Sequence, residues 1–223
     1  MGTLYLVRHG QASLGAADYD QLSALGARQC ERLGAWFAAH GVAFDAVYVG
    51  TLRRHAQSLH AIGAAHGALP EAVLRPGLNE YDSAAVIRAV HADAVMPPAT
   101  PDEARLHFRR LREGLAAWMA GRAQPEGMPT HAAFTAGIAA VLEEVRAHHA
   151  GQSVLVVSSG GPIAHAVGQV LGLGHEAVID LNMHLRNSAL CEVRVTPRRF
   201  SLVSFNALPH LATPGDAAAL THA

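Results

Sequence analysis

The chain of 223 residues contains no lysine, so all 17 of its basic residues are arginine. This absence excludes Schiff-base chemistry and a phosphate-binding loop built on lysine. The two cysteines, Cys30 and Cys191, lack the spacing of a zinc site or a redox pair, and we expect buried, reduced thiols. The 15 histidines show no metal-ligand spacing either, so we predict neither a metal nor another cofactor.

Charge and long apolar runs are also scarce. Charged residues make up 16% of the chain and the formal net charge is -1, which does not favour a nucleic-acid or anionic-membrane surface. No apolar stretch is long enough to cross a bilayer. Because Met1-Gly2-Thr3 leads directly into an apolar run, no room is left for a signal peptide, and we predict a cytoplasmic protein.

Half of the residues are hydrophobic, which is typical of a globular chain with a buried core. Short β-rich runs alternate with stretches of helical periodicity. The predicted strands are residues 3–7, 46–49, 72–75, 153–157, 189–195 and 200–205, and the predicted helices are residues 21–40, 52–66, 84–92, 101–120, 130–149 and 162–171. This order predicts a three-layer α/β/α sandwich with a mostly parallel mixed sheet.

Two segments depart from this alternation. Between residues 83 and 129, two helical stretches flank the break Met96-Pro97-Pro98, and we predict a helical insertion that covers the site as a lid. The alternative is a helical layer that thickens the core. We assign residues 1–211 to a single α/β domain and predict that residues 212–223, which are small and polar, form a flexible tail.

Arg8-His9-Gly10 stands where the first predicted strand ends. Ligands bind at the carboxyl edge of open α/β sheets, although a strand that ends in a polar turn would give the same tripeptide. Four later segments fit the same site. They are Gly50-Thr51-Leu52-Arg53-Arg54-His55-Ala56-Gln57-Ser58, Leu78-Asn79-Glu80, Val156-Val157-Ser158-Ser159-Gly160-Gly161-Pro162-Ile163 and Phe205-Asn206-Ala207-Leu208-Pro209-His210-Leu211.

In their order and spacing, these segments resemble the histidine phosphatase superfamily, with its phosphoglycerate-mutase-like fold, over residues 3–211. The resemblance implies that His9 is a nucleophile that forms a phosphohistidine, and that Glu80 is the general acid that later activates water. Attack requires one free ring nitrogen, and we expect a backbone carbonyl to hold the other. The acid works best with a raised pKa, and Asp82 is a competitor for this role.

Arg8 and Arg54 are the predicted phosphate-binding residues, because both follow predicted strands. Arg54 also lies in the first turn of a helix, whose N-terminus favours anions. The resemblance selects Arg54 over Arg53 because Gln57 stands three residues later. We therefore expect Arg53 to face solvent, and a surface ion pair is the alternative for Arg54.

The chain departs from the family pattern at two positions. Ser159 stands where the family usually carries a second catalytic histidine, and Gly15 stands where related mutases often carry an asparagine. Serine donates one neutral hydrogen bond, and the loss of one transition-state donor costs on the order of 10²–10³ in rate. We predict that Gly160 and Gly161 open a helix with Pro162 at its first position, and that their N–H groups cradle phosphate.

The leading hypothesis is a phosphohydrolase that acts on a small phosphomonoester. The alternative is a catalytically weak or inactive phospholigand-binding protein, for which Ser159 is the sequence support. A mutase is disfavoured because it must hold a bisphosphorylated intermediate in a chain without lysine. His165 and His184 are the nearest candidates to replace the missing histidine, but we expect both to be structural or exposed. The sequence leaves the substrate open, and a homodimer through an edge strand stays a hypothesis.

Overall fold

Six strands and seven α-helices form in the part of the chain that the computed structural model describes, residues 2–12, 20–92 and 100–222. The strands are β1 (Gly2–Arg8), β2 (Ala46–Val49), β3 (Ala72–Leu74), β4 (Ser153–Ser158), β5 (Leu190–Val195) and β6 (Phe200–Ala207). The helices are α1 (Ala24–Ala39), α2 (Arg53–His66), α3 (Ser83–Arg88), α4 (Pro101–Met119), α5 (His131–His148), α6 (Gly160–Leu171) and α7 (His175–His184). Gly15 and the predicted break at residues 96–98 lie outside the described residues.

The strands form one mixed sheet in the order β3-β2-β4-β1-β5-β6. Strands β1 to β4 are parallel, β5 runs antiparallel to β1, and β6 runs antiparallel to β5. Val7 of the central strand β1 pairs with Val157 of β4 on one side and with Leu190 of β5 on the other. The predicted α/β fold with a mostly parallel mixed sheet is confirmed.

Alternating residues of β1 pack into separate layers on the two faces of the sheet. Leu4 and Leu6 belong to an apolar cluster with Ile163 of α6 and with residues of α5. Val7 points to the opposite face, where it packs with Leu33 of α1 and with residues of α2. Burying a side chain of this size stabilises the fold by about 1.5–3 kcal/mol, so both layers fix the end of β1.

The segment predicted as a lid packs through a third apolar cluster. Ile87 of α3 and Trp118 of α4 are buried with Ile179 of α7 and with Tyr81, which precedes α3. The insertion therefore forms a helical layer against α6 and α7. Its movement as a lid stays a prediction.

Helix α1 begins at Ala24 instead of residue 21 and α3 ends at Arg88 instead of residue 92, and α6 and α7 depart further from the predictions. Helix α6 begins at Gly160, so Pro162 is its third residue rather than its first. Proline fits there because the first N–H groups of a helix have no acceptor within the helix. Helix α7 was not predicted, since only Val178 and Ile179 are buried in its ten residues and leave a weak periodic pattern. No helix in the described segments has the length and apolar character required to span a membrane.

The C-terminal residues make contacts that their composition did not predict. Asp216 is buried and forms an ion pair with Arg32. Nε2 of Gln29 donates to the Ala219 carbonyl at 2.7 Å, and the Asn187 N–H donates to the Thr221 carbonyl at 2.9 Å. The segment predicted to be flexible thus lies along α1 and the loop before β5.

Both cysteines are buried and free, as the sequence predicted. Burial raises the pKa of the Cys30 thiol to about 11 and that of Cys191 to about 12. Because the thiolate is the reactive form, neither sulfur is a nucleophile near neutral pH.

Candidate active site

The carboxyl ends of β1 and β4 bring two predicted segments together. Arg8 pairs in register with Ser158, and the N–H of His9 donates to the Ser158 carbonyl at 2.8 Å. His9 and Ser159 are therefore the first residues beyond two adjacent parallel strands. Both side chains are buried at this edge of the sheet.

The His9 imidazole is held in a single tautomer. Nδ1 lies 2.7 Å from the Gly10 carbonyl, and Nε2 lies 3.2 Å from Nε of Arg54. Because a carbonyl only accepts and a guanidinium only donates, the proton is on Nδ1 and the lone pair is on Nε2. Burial, followed by the charges of Arg8 and Arg54, holds the pKa of His9 well below its usual value. The ring is neutral with one basic nitrogen, and the predicted bond to a backbone carbonyl is present.

The Gly10 carbonyl that orients His9 is itself fixed. The N–H of Gly10 donates to Oγ of Ser58 at 3.1 Å, and Ser58 Oγ donates to the Arg54 carbonyl at 2.8 Å. A Cβ on Gly10 would lie 2.2 Å from the carbonyl oxygen of Gly26 in α1. No larger residue fits here without moving α1, so the close approach of two backbones places the imidazole.

Arg54 is buried at the start of α2 and forms an ion pair with Asp20, in which Nη1 lies 2.8 Å from Oδ1. The other carboxylate oxygen of Asp20 accepts the backbone N–H of Arg53 at 2.9 Å. The Arg53 side chain is exposed, as predicted. Asp20 was missed because it lies in a loop far from Arg54 in the sequence, without a motif to mark it.

Arg8 is held by two backbone carbonyls. Nη1 donates to the carbonyl of Leu185, which follows α7, and to that of His222 at 2.7 Å. The guanidinium lies beside Gly160, where a Cβ would stand 3.7 Å from Nε. Because the C-terminal segment was predicted to be flexible, the contact between Arg8 and His222 was not expected.

Glu80 follows the short 3-10 helix Pro76–Leu78 and faces the start of α6. Its two carboxylate oxygens each lie 3.1 Å from the N–H of Gly161, which donates to both. Burial raises the pKa of Glu80, although the Gly161 hydrogen bond and the two arginines oppose the increase. A raised pKa is what the role of a general acid requires. The Gly161 N–H that we predicted to cradle phosphate is directed at this carboxyl.

Asp82, the competing acid, has a different role. Its Oδ1 accepts the N–H of Ala85 at 3.0 Å and so caps α3, while the residue itself is exposed. An exposed carboxylate that caps a helix is not the buried acid that the predicted role requires.

Ser159 contacts a histidine that the sequence analysis did not consider. Its Oγ lies 2.7 Å from Nε2 of His55, and both residues are completely buried. The rings of His55 and His9 lie with their centroids 5.8 Å apart. Burial, with a smaller contribution from Arg54, lowers the pKa of His55 to about 3. His55 directly follows Arg54, which was predicted as a site residue. This adjacency was the signal that could have identified His55.

The two histidines that were considered as replacements bond elsewhere. Nδ1 of His165 lies 2.7 Å from the Gly161 carbonyl, and its Nε2 lies 3.1 Å from Nε2 of His131. His184 is exposed, with Nδ1 at 2.7 Å from the Asp180 carbonyl. These contacts fit the structural and exposed positions expected for them.

The last segment of the motif supports the backbone below His9. Nε2 of His210 lies 2.9 Å from Oγ of Ser188, and the N–H of Ser188 donates to the His9 carbonyl at 3.1 Å. Oδ1 of Asn206 accepts the N–H of Arg186 at 2.9 Å. This segment therefore fixes the loop before β5 rather than reaching the site itself.

A buried neutral imidazole at the end of the central strand, with two arginines and a carboxyl around it, defines the class of the protein. The model of the histidine phosphatase superfamily (branch 1) matches residues 4–208, and the chain belongs to this family. No curated protein matches the chain by sequence.

Several solved structures share the fold. YhfR from Bacillus stearothermophilus superposes with a TM-score of 0.70 at 16% identity, over 94% of this chain and 99% of that one. Phosphoserine phosphatase of Entamoeba histolytica, in complex with 3-phosphoglyceric acid, gives 0.66 at 18% identity, over 95% and 100%. A mycobacterial glucosyl-3-phosphoglycerate phosphatase gives 0.63 at 21% identity, over 92% and 98%. At these identities the likeness establishes the fold.

Proposed function

We propose that the protein is a phosphohydrolase that transfers the phosphoryl group of a phosphomonoester to Nε2 of His9 and then to water. The observation that carries this proposal is the tautomer of His9. The Gly10 carbonyl holds the proton on Nδ1, which leaves the Nε2 lone pair directed into a site with Arg54. The lowered pKa keeps that lone pair available near neutral pH.

In the first step, the Nε2 lone pair attacks phosphorus and the bond from phosphorus to the leaving oxygen breaks. Glu80 gives its carboxyl proton to that oxygen and becomes a carboxylate. In the structure, Nε of Arg54 donates to Nε2 of His9. Once Nε2 is bonded to phosphorus it can no longer accept, and Nε of Arg54 turns to the phosphoryl oxygens. Arg8 and Arg54 stabilise the charge that develops on these oxygens.

In the second step, the Glu80 carboxylate takes a proton from water as the water oxygen attacks phosphorus. The bond between phosphorus and Nε2 breaks, its electron pair returns to the imidazole, and inorganic phosphate leaves. The raised pKa of Glu80 suits both steps, because the group must release and regain a proton in each cycle.

The family supports this activity, and the fold neighbours include phosphatases named for small phosphorylated compounds. We propose a substrate of the same kind, selected by the helical layer that α3 and α4 form. A phospholigand-binding protein is the second candidate, and the observation that favours it is the uncharged Ser159 in the buried site.

Release of inorganic phosphate from an aryl phosphate tests the proposal, with the native protein beside His9→Ala. We expect turnover in the native protein and none in the variant. His60→Ala is the matched control, since His60 is exposed on α2. An acid-labile phosphoenzyme should form in the native protein alone. Turnover that survives His9→Ala would contradict the mechanism, and phosphate binding without turnover on a panel of phosphomonoesters would favour the binding protein.

A further inference from the structure

The contact between His55 and Ser159 is a part of the site that the proposed mechanism does not use. The two residues come from different elements, His55 from the first turn of α2 and Ser159 from the position before α6. They meet at 2.7 Å between Nε2 and Oγ in the interior of the protein. The inference below rests on the proposed function.

The hydrogen bonds of His55 direct its ring to Ser159. Its Nδ1 lies against the Gly50 backbone, and a hydrogen bond to that backbone opposes the lowering of the His55 pKa. Burial of an imidazole still costs free energy of desolvation, and an apolar side chain would fill the same space at lower cost. Packing alone therefore does not account for an imidazole at this position.

The Ser159 hydroxyl is likewise directed away from the local role that its position offers. A serine at a helix N-cap normally accepts a backbone N–H of the first turn. Within the described residues, Ser159 makes no such side-chain bond to α6, although its carbonyl accepts the N–H of Ile163 at 3.2 Å. Its Oγ is hydrogen-bonded to Nε2 of His55 instead.

The chemistry of this pair fits a phosphate site. When His55 donates from Nε2, the Ser159 oxygen accepts, and the hydroxyl proton is free to be donated to a phosphoryl oxygen. If the Ser159 hydroxyl instead donated to Nε2, a serine lone pair would face the anion. A bound phosphate therefore favours the arrangement in which His55 donates. A phosphate dianion nearby also favours the charged imidazolium.

We propose that His55 and Ser159 together replace the second histidine of the family site, with His55 as a positioning residue that aims the Ser159 hydroxyl at the phosphoryl group. In this chain the imidazole is supplied by the first turn of α2 instead of the position after β4. Ser159, which stands at that position, would present the hydrogen bond to the phosphoryl group. The 5.8 Å between the His9 and His55 ring centroids places the pair beside the nucleophile.

A double-mutant cycle tests the coupling. We expect His55→Ala and Ser159→Ala each to lower kcat on the order of 10²–10³, the cost of one lost transition-state donor, with a smaller change in KM. The double variant should be no worse than either single one, because each substitution removes the same interaction. Independent effects that multiply in the double variant would overturn the proposal.

Relocation of the histidine gives a sharper test. Ser159→His alone should lose activity, because the His55 ring already fills the space beside this buried position. Addition of His55→Ala opens that space, and the combined variant should recover to within about tenfold of the native kcat. A combined variant no more active than His55→Ala would contradict the proposal.

Two further variants separate positioning from folding. His55→Gln keeps an N–H donor for Ser159 and should retain more activity than His55→Ala, whereas a purely structural ring would not show this order at equal thermal stability. His60→Ala, on the exposed side of α2, should match the native protein.

Inorganic phosphate binding distinguishes failure of this inference from failure of the proposed function. If the native protein shows no turnover that depends on His9, the hydrolase proposal fails. The pair is then tested by phosphate affinity, which should fall in His55→Ala and Ser159→Ala and recover in the relocated variant. Unchanged affinity in the two single variants would overturn the proposal in that case.

Discussion

Nε of Arg54 donates a hydrogen bond to Nε2 of His9 across 3.2 Å, so the arginine predicted to bind phosphate directly contacts the predicted nucleophile. The same guanidinium binds Asp20 through Nη1. Arg54 thus contacts the imidazole lone pair, and in the proposed mechanism it leaves this contact when a phosphoryl oxygen offers a better acceptor. This relationship makes Arg54 the residue whose removal should be felt both in binding and in chemistry.

Arg54→Ala should lower kcat/KM by at least 10²–10³, because it removes a buried charge from the transition state. Arg54→Lys should recover only part of this loss, since an ammonium lacks the two-pronged geometry that binds phosphate and Asp20 together. Steady-state kinetics on an aryl phosphate measure both values. The neighbouring Arg53→Ala is the control, and an equal loss there would refute the assignment.

The pH dependence of kcat/KM should be bell-shaped. His9 is active when neutral, and its lowered pKa moves the acid limb below pH 6.5. Glu80 is active in the first step when protonated, and its raised pKa moves the alkaline limb above the usual value near 4.5. A pH–rate profile checks both limbs, and an acid limb above pH 6.5 would contradict the His9 assignment.

Glu80→Gln should reduce turnover of alkyl phosphates more than turnover of aryl phosphates. A phenolate leaves with little help from an acid, whereas an alkoxide needs the proton that glutamine does not supply. Asp82→Asn serves as the control because Asp82 caps α3. Equal losses on both substrates would argue against proton donation by Glu80 in the first step.

Stability should fall as the pH drops below 6.5, because the buried His55 stays neutral while the unfolded chain takes up protons. The folded pKa of His55 is about 3, so the loss runs from pH 6.5 down to that value. His55 alone contributes at most about 1.4 kcal/mol per pH unit to this slope. Urea unfolding at pH 7, 6 and 5 measures the slope, which His55→Gln should make shallower and His60→Ala should leave unchanged.

Asp216→Asn should release the C-terminal segment and lower the melting temperature. The ion pair with Arg32, followed by hydrogen bonds from Thr213, holds the pKa of Asp216 well below its usual range. Hydrogen exchange should show faster exchange at residues 213–222 in the variant. Asp180→Asn removes a partner of Arg112 at an exposed position and is the comparison. Fast exchange of this segment in the native protein as well would support the flexible tail predicted from composition.

The positions of His9 and Arg54 near the ends of strands could be predicted because they depend on the local sequence pattern. Apolar runs placed His9 and Arg54 just after strands, and parallel strands bring their carboxyl ends to one edge. The residues that were missed depend on contacts across the fold. Asp20 reaches Arg54, and His55 reaches Ser159, over sequence separations of 34 and 104 residues, without a spacing rule to reveal them.

The ion pair between Asp20 and Arg54 gives the site an internal counter-ion. In the proposed mechanism a phosphate shares the guanidinium with this carboxylate, so part of the attraction between the anion and the protein is cancelled before binding begins. The same partial neutralisation should help inorganic phosphate to leave. We therefore expect weak binding of the product and correspondingly fast release.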